Sequence, residues 1–235
     1  MKIFVLEGPN DVVFIESILH HIFEKPDIPK ASNNNLQKSI KILMSKLRDS
    51  NEYHYLKNEF GIIIYGDNGK NNVISKVIPR LCYDLIGKDP PKQIDFLVIL
   101  DENGESLSDI MVRIREKIIN KDIPDSEVLN INRDNIKVQF NSDISYWIYI
   151  RVCLIPRSLE YQIIHKAVKT IKSISKRRQR KLLNSKEDDA FKEIADLIGV
   201  SKEELIRRSV FDNWFSGNEW YDGIIRKIRD FIQLT

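Results

Sequence analysis

Three short stretches place carboxylates and glycine directly after apolar runs: Glu7-Gly8-Pro9-Asn10-Asp11 after IFVL (3–6), Gly66-Asp67-Asn68-Gly69-Lys70 after FGIIIY (60–65), and Asp101-Glu102-Asn103-Gly104 after IDFLVIL (94–100). Carboxylate and amide oxygens gathered at turns are hard ligands, the kind that Mg²⁺ or Mn²⁺ takes while keeping waters that phosphate oxygens can replace. Glycine after Glu7 lets the backbone turn at once, so the acid stays at the tip of its run. Asp11, in the first turn of the helical pattern that follows, points back toward the same edge. Asp101 and Asn103, two apart in an extended stretch, can face one side together.

The elements that must position these residues follow from periodicity. The three apolar runs are continuous, as strands buried on both faces of a parallel sheet are. Between and after them, residues 11–24, 36–48, 71–86 and 107–119 carry apolar positions at helical spacing. The resulting order predicts an α/β sheet with right-handed crossovers, whose ligand site lies beyond the carboxyl ends of the strands. After Pro124, EVLNIN (127–132), NIKVQF (135–140) and YWIYIRVCLI (146–155) read as strands joined by an Arg133-Asp134 turn and an Asn141-Ser142-Asp143 turn, which adds antiparallel members. From Leu159 onward only helices are expected, over 159–183, 187–198, 201–209 and 219–233, with Ser201 and Glu204 in a capping-box pattern. We therefore expect a Rossmannoid α/β domain over residues 1–156 and a helical extension over 157–235 packed on it. Ser32-Asn33-Asn34-Asn35 reads as a short loop.

Composition narrows the class. With 235 residues and 42% hydrophobic content, the chain can bury an ordinary core. A net charge of +3 is too small by itself to select a partner. No run approaches the ~18 apolar residues of a membrane span, and Ile3 to Leu6 is too short for a signal-peptide core, so no membrane association and a cytoplasmic location are expected. Cys82 and Cys153 lie in apolar runs without metal-ligand spacing and read as buried reduced thiols. His20 and His21 point to different faces of one helix and read as a surface pair.

The charge is uneven along the chain. Residues 165–186 hold nine Lys/Arg and no acid, a single-signed run that suits a phosphate backbone as well as a solvated face. Lys172, Lys176, Arg177 and Arg180 are its candidate nucleic-acid contacts. Lys70 joins them if the Gly66 loop cradles phosphate, although that loop lacks the ending of a P-loop and also reads as a tight strand-to-helix turn. The pairs Trp214-Phe215 and Trp220-Tyr221 could stack bases or anchor the last helix to the core.

Strand-Glu7-Gly8-x-x-Asp11-helix followed by strand-Asp101-x-Asn103-Gly104 resembles the Toprim domain shared by topoisomerases, bacterial primases, small ribosomal-RNA maturases and the overcoming-lysogenization-defect nucleases. The likeness is nearest to small standalone Toprim-like proteins and covers roughly residues 1–155. It implies that Glu7 is a general acid or base in phosphodiester transfer and that Asp101 carries a divalent metal, Mg²⁺ or Mn²⁺. Asn103 would assist, Asp11 would ligate or orient, and Glu160 would join them, because Leu159-Glu160 after the last strand matches a Leu-Glu of the standalone relatives. The family's Asp-x-Asp is Asp101-x-Asn103 here. An amide oxygen can ligate a cation but adds no charge, which should lower affinity unless Glu102 or Glu105 compensates. Three functions are in view. The first is a metal-dependent, nuclease-like enzyme of nucleic-acid phosphodiesters; the second is a catalytically silent module of the same type that binds nucleic acid or a partner; the third is a nucleotide-binding regulator using the Gly66 loop.

Overall fold

A computed structural model of the chain describes residues 1–23, 55–59, 62–84, 93–121, 123, 126–132, 134–140 and 146–233. Seven strands, β1 (Lys2–Leu6), β2 (Tyr55–Glu59), β3 (Ile62–Gly66), β4 (Gln93–Asp101), β5 (Ser126–Asn132), β6 (Asn135–Phe140) and β7 (Tyr146–Ile155), form one sheet in the order β2-β3-β1-β4-β7-β6-β5. The neighbours β3, β1, β4 and β7 are parallel. β2 runs antiparallel on one flank and β6 and β5 on the other.

The apolar runs become strands because both faces of the parallel quartet are covered. Along β1 and β4, Phe4, Leu6, Leu97 and Ile99 enter one core while Ile3, Val5, Phe96, Val98 and Leu100 enter the other, as the two-residue period of a strand requires. β6 alternates instead, with Ile136, Val138 and Phe140 buried and the residues between them half-buried.

Eight helices follow in chain order among the described residues. They are α1 (Pro9–Ile22), then α2 (Lys70–Asn72, a π-turn at Val73–Val77, and Ile78–Asp84), α3 (Leu107–Ile119), α4 (Leu159–Thr170), α5 (Lys176–Leu183), α6 (Glu187–Leu197), α7 (Lys202–Phe211) and α8 (Glu219–Gln233). α2 and α3 supply the core on one face. On the other, α1 shares a single core with α4 to α8. There Phe4 meets Phe231 edge to face with centroids 5.0 Å apart, and Phe14 lies 6.3 Å from Phe215 and 6.4 Å from Trp220. Each fully buried Phe of this kind contributes ~1.5–3 kcal/mol of hydrophobic stabilisation. The C-terminal aromatic pairs are thus anchors: Trp214, Phe215 and Tyr221 are buried and Trp220 packs against the same core.

Three differences from the expected pattern have physical causes. The helix expected over 159–183 is two helices, because Ile171 leaves helical geometry and Ser175 caps α5 by accepting from the Arg178 N–H. β2 was not expected; its sequence YLKNE is too polar to mark a buried strand, and it gains its place by antiparallel pairing along β3. The π-turn in α2 has no counterpart in the apolar spacing. The helix expected at 36–48, the 32–35 loop, Arg133 and the 141–143 turn lie outside the described residues. Cys82 and Cys153 are buried free thiols.

Two contacts set where the first helix begins. A Cβ on Gly66 would stand 2.6 Å from Val12 Cγ2 and 3.1 Å from the Gly8 carbonyl oxygen, so only glycine lets β3 end against the start of α1. Farther along α1, the buried carboxylate of Glu16 is offset by Lys57 from β2 and by Arg207 from α7, the latter at 3.8 Å. Paired cations of this kind are what a buried acid requires.

Candidate functional site

β1, β4 and β7 are neighbours and point the same way, so Glu7, Asp101 and the turn leading into α4 meet at one edge of the sheet. Glu7 Oε1 accepts from the Asp101 backbone N–H at 2.8 Å. Asp101 Oδ1 accepts from the Leu159 N–H, at the first residue of α4, at 3.1 Å. Asp11 Oδ2 accepts from the Gly8 N–H at 3.0 Å, closing the first turn of α1. Glu160 Oε1 accepts from Asn10 Nδ2 at 2.6 Å, which ties α4 to α1. Pro9 at the first helical position and Asp11 beside the helix N-terminus suit their places there.

These bonds gather Glu7 from the turn after β1, Asp11 from α1, Asp101 from β4 and Glu160 from α4. Their charges disfavour one another. Burial pushes Asp11 well above the usual carboxylate range, with Asp101, Glu160 and Glu7 adding to the effect. Burial, then Glu7 and Glu160, push Asp101 up to about 8. Glu7 is raised by burial, against the opposing Asp101 N–H and the Lys70 ammonium. Crowded carboxylates of this kind are relieved by a cation.

The same shifts predict a pH dependence. A carboxyl raised on folding keeps a proton that the unfolded chain has released. Its contribution to stability is whole below the unfolded value near ~4 and is lost as pH rises through the folded one. Metal-free protein is therefore expected to lose stability as pH rises through about 8, where Asp101 gives up its proton. Urea midpoints measured across that window should fall in the native chain and fall less in Asp101→Asn. Equal profiles would show that Asp101 is not strained by its neighbours.

A cavity of about 560 Å³ opens beside this edge, lined by Asp101, Asn103, Ser158, Glu160 and the run Lys186 to Asp189. Its oxygen donors fit Mg²⁺ or Mn²⁺ in kind. Among the described residues, however, no three acids, histidines or cysteines form a ready-made ion cage. The carboxylates spend oxygens on backbone N–H groups and on Asn10 instead. Each of these bonds uses one oxygen of its carboxylate, so a cation could take the other.

Asn103 is exposed at the cavity and left-handed, with φ 47°, and its N–H donates to the Arg157 carbonyl at 3.1 Å. Asparagine is among the few residues that adopt this geometry readily, so the backbone supplies a reason for Asn here besides any role as a ligand. Arg157 is left-handed too, with φ 62°. Such a residue costs on the order of 1 kcal/mol and persists only where its surroundings fix it.

Lys70, a candidate phosphate contact, is engaged within the fold. Its ammonium donates to the carbonyls of Asp101 at 3.0 Å and Glu102 at 2.9 Å and pairs with Glu105 at 2.7 Å. It fastens the β4–α3 turn to α2. The Gly66 loop is a strand-to-helix turn built on buried Asp67, which accepts from the Tyr65 hydroxyl and the Asn68 N–H. Lys172, Lys176, Arg177 and Arg180 are exposed and make no ion pair among the described residues, whereas Arg178 and Lys181 both pair with Glu193. Lys186, the last cation of this run, reaches the acidic cavity. His21 packs edge-on against Phe211 and His20 is exposed, away from the carboxylates.

The sequence pattern did not single out Asn10, Ser158 or Arg157. Ser158 is buried, caps α4 and donates from its hydroxyl to Glu187; its place just before a helical pattern was the available signal.

No protein-family model and no curated protein matches the chain. Among solved structures, the crystal structure of a hypothetical protein from Pyrococcus horikoshii OT3 is similar, with a TM-score of 0.51 and 14% identity over 99% of this chain and 95% of that one. At that identity the likeness concerns the fold, a Rossmann-like α/β sheet with C-terminal helices. No helix among the described residues is long and apolar enough to cross a membrane.

Proposed function

We propose that the protein is a divalent-metal-dependent enzyme of nucleic-acid phosphodiesters, nuclease-like and of the Toprim type. One observation carries this reading: Glu7, Asp11, Asp101 and Glu160, from four separate segments, are drawn to one sheet edge where burial and like charge raise the pKa of three of them. Asp101, with Glu160, Asp11 and Asn103, would hold Mg²⁺ or Mn²⁺. When bound, the metal supplies a Lewis acid for phosphate oxygens. As a water oxygen forms its bond to phosphorus, losing a proton to solvent, and the P–O bond to the leaving oxygen breaks, Glu7, whose raised pKa favours retention of a proton, would give that proton to the leaving oxygen. Lys70 holds the Asp101 and Glu102 carbonyls and so fixes the turn that presents the ligands.

A silent binding module is the second reading, favoured by Asn103, an uncharged residue in a left-handed turn at the cavity where the Toprim pattern has an acid. Calorimetric titration with Mn²⁺, paired with cleavage assays on labelled single- and double-stranded DNA and RNA, separates the two. Heat with cleavage supports the enzyme, and heat without it supports the module. Neither heat nor cleavage would remove the metal site altogether. A nucleotide regulator draws no support from the Gly66 loop, where Lys70 is already committed.

The exposed cations of α5 and its approach supply the electrostatic part of nucleic-acid affinity in this reading. Replacing Lys176, Arg177 and Arg180 together with Ser should weaken binding. It should also flatten log K against log salt by about 0.7 per lost phosphate contact on single strands, or about 0.9 on duplex DNA. An unchanged slope in filter-binding measurements would leave the run as a solvated face.

A further inference from the structure

The substrate of the proposed reaction is a polyanion, yet the cavity is lined by Asp101, Glu160, Glu187, Asp188 and Asp189 against one lysine, Lys186. A metal ion offsets part of that charge, and the strand's phosphates need cations at the rim. Lys70 is engaged by three acceptors, with its side chain only 10% exposed. Arg157 differs. It is exposed, and it immediately precedes Ser158, which lines the cavity.

The backbone of Arg157 is fixed from several sides. Its N–H donates to Glu102 Oε2 at 3.4 Å, its carbonyl accepts from the Asn103 N–H at 3.1 Å, and the neighbouring Pro156 carbonyl accepts from Gln162 Nε2 at 2.7 Å. Its side chain is fixed too. The guanidinium carbon lies 4.0 Å from the Tyr161 ring centroid, and Tyr161 in turn lies 4.0 Å from His165. Tyr161 and His165, four residues apart, lie on one side of α4, and Arg157, ahead of the helix, folds its side chain back over the first of them. A guanidinium seated by its face on a ring keeps its N–H edge available, and that edge matches two oxygens of one phosphate.

We infer that Arg157, backed by Tyr161 and His165, is a phosphate clamp for the nucleic-acid strand, holding a phosphate next to the linkage presented to Asp101 and Glu160. The inference rests on the proposed function and adds to it how the strand is held. The left-handed turns at Asn103 and Arg157 are bonded to each other, which holds the backbone of the clamp in place. Burial and the nearby Lys169 and Arg157 lower the pKa of His165, which keeps the ring beneath the stack uncharged and free of repulsion toward the guanidinium.

Arg157→Gly gives a clean test, since glycine accepts the left-handed backbone and the fold is retained. Binding of a fluorescein-labelled single-stranded oligonucleotide, read by anisotropy with Ca²⁺ present, should weaken about tenfold, as loss of one bidentate charge-assisted contact implies. The salt slope should shallow by about 0.7, while the melting temperature stays within a few degrees. Arg157→Lys should restore the slope but only part of the affinity. A series of oligonucleotides, each with one neutral methylphosphonate linkage, locates the partner. Wild type should lose affinity at one linkage where Arg157→Gly loses no more. Unchanged affinity and slope in Arg157→Gly, or equal losses in both proteins at every linkage, overturn the clamp while leaving the metal site standing. No binding by wild type to any strand sinks the nucleic-acid reading and the clamp with it.

Discussion

Asp101→Ala is expected to abolish divalent-metal binding and all metal-dependent phosphodiester cleavage, whereas Glu7→Gln should keep the metal and lose cleavage by about 10²–10⁴-fold, the usual worth of a positioned acid or base. The two carboxylates are linked, since Glu7 accepts from the backbone of Asp101, but their environments differ. Asp101 takes its largest electrostatic burden from Glu7 and Glu160 after burial, so it gains most from a cation. Glu7 has the Lys70 ammonium nearby and is less in need of one. Asp101→Asn is the control for folding, because its amide oxygen can still accept from Leu159 N–H. Metal-free Asp101→Asn should be at least as stable as wild type at neutral pH, and unable to bind Mn²⁺. Undiminished Mn²⁺ heats in Asp101→Ala would place the ion elsewhere, and cleavage by Glu7→Gln at the native rate would take the proton-transfer role from Glu7.

Asn103→Asp should change the protein in opposite directions with and without metal. The substitution keeps shape and a tolerance for left-handed backbone while adding one negative charge at the cavity rim. Affinity for Mg²⁺ or Mn²⁺ should tighten on the order of tenfold, as added ligand charge does in oxygen-ligand sites, and any cleavage should rise. Without metal, the same charge joins four crowded carboxylates, and the melting temperature should drop. The double variant Glu7→Gln with Asn103→Asp should keep the tighter metal and lose cleavage. Thermal scans in EDTA and in Mn²⁺ read both signs in one experiment. Weaker metal binding in Asn103→Asp would mean that the side chain serves the turn alone.

How much of this was legible in the sequence depended on what each residue is answering to. Ile3 to Leu6 and Ile94 to Leu100 announce buried strands because two cores press on them, and the acids that follow are placed by the strand ends. Leu107–Ile119 matched its predicted bounds because Ser106 caps it and its apolar positions recur regularly. β2 was hidden because its polar sequence carries no apolar run, and antiparallel pairing along β3 supplies its place in the sheet. The break after Thr170 was hidden for a related reason: Ile171 and Ile174 continue the apolar spacing, while Ser175 starts a new helix. In the site, acids at strand tips could be found by position. Lys70 could not, because three acceptors brought to it by the fold decide its role, and none of them lies within thirty residues of it in the chain.

The strand order has a consequence for how the molecule is made. β1 is the first strand in the chain and sits near the middle of the sheet, paired through Ile3 with Ile63 and with Phe96. During synthesis it must wait for β3 and β4 to emerge before either of its edges is satisfied, and parallel pairings this distant in sequence form slowly. Until then Ile3 to Leu6 is an apolar strand with two open edges, a template for pairing with other chains. Glu7 and Asp101 come together only when β1 joins β4, and Asp101 gains the Leu159 N–H only when α4 docks. Assembly of the carboxylate edge therefore waits on both junctions, and a ligand that binds that edge would hold β1, β4 and α4 together once they have met.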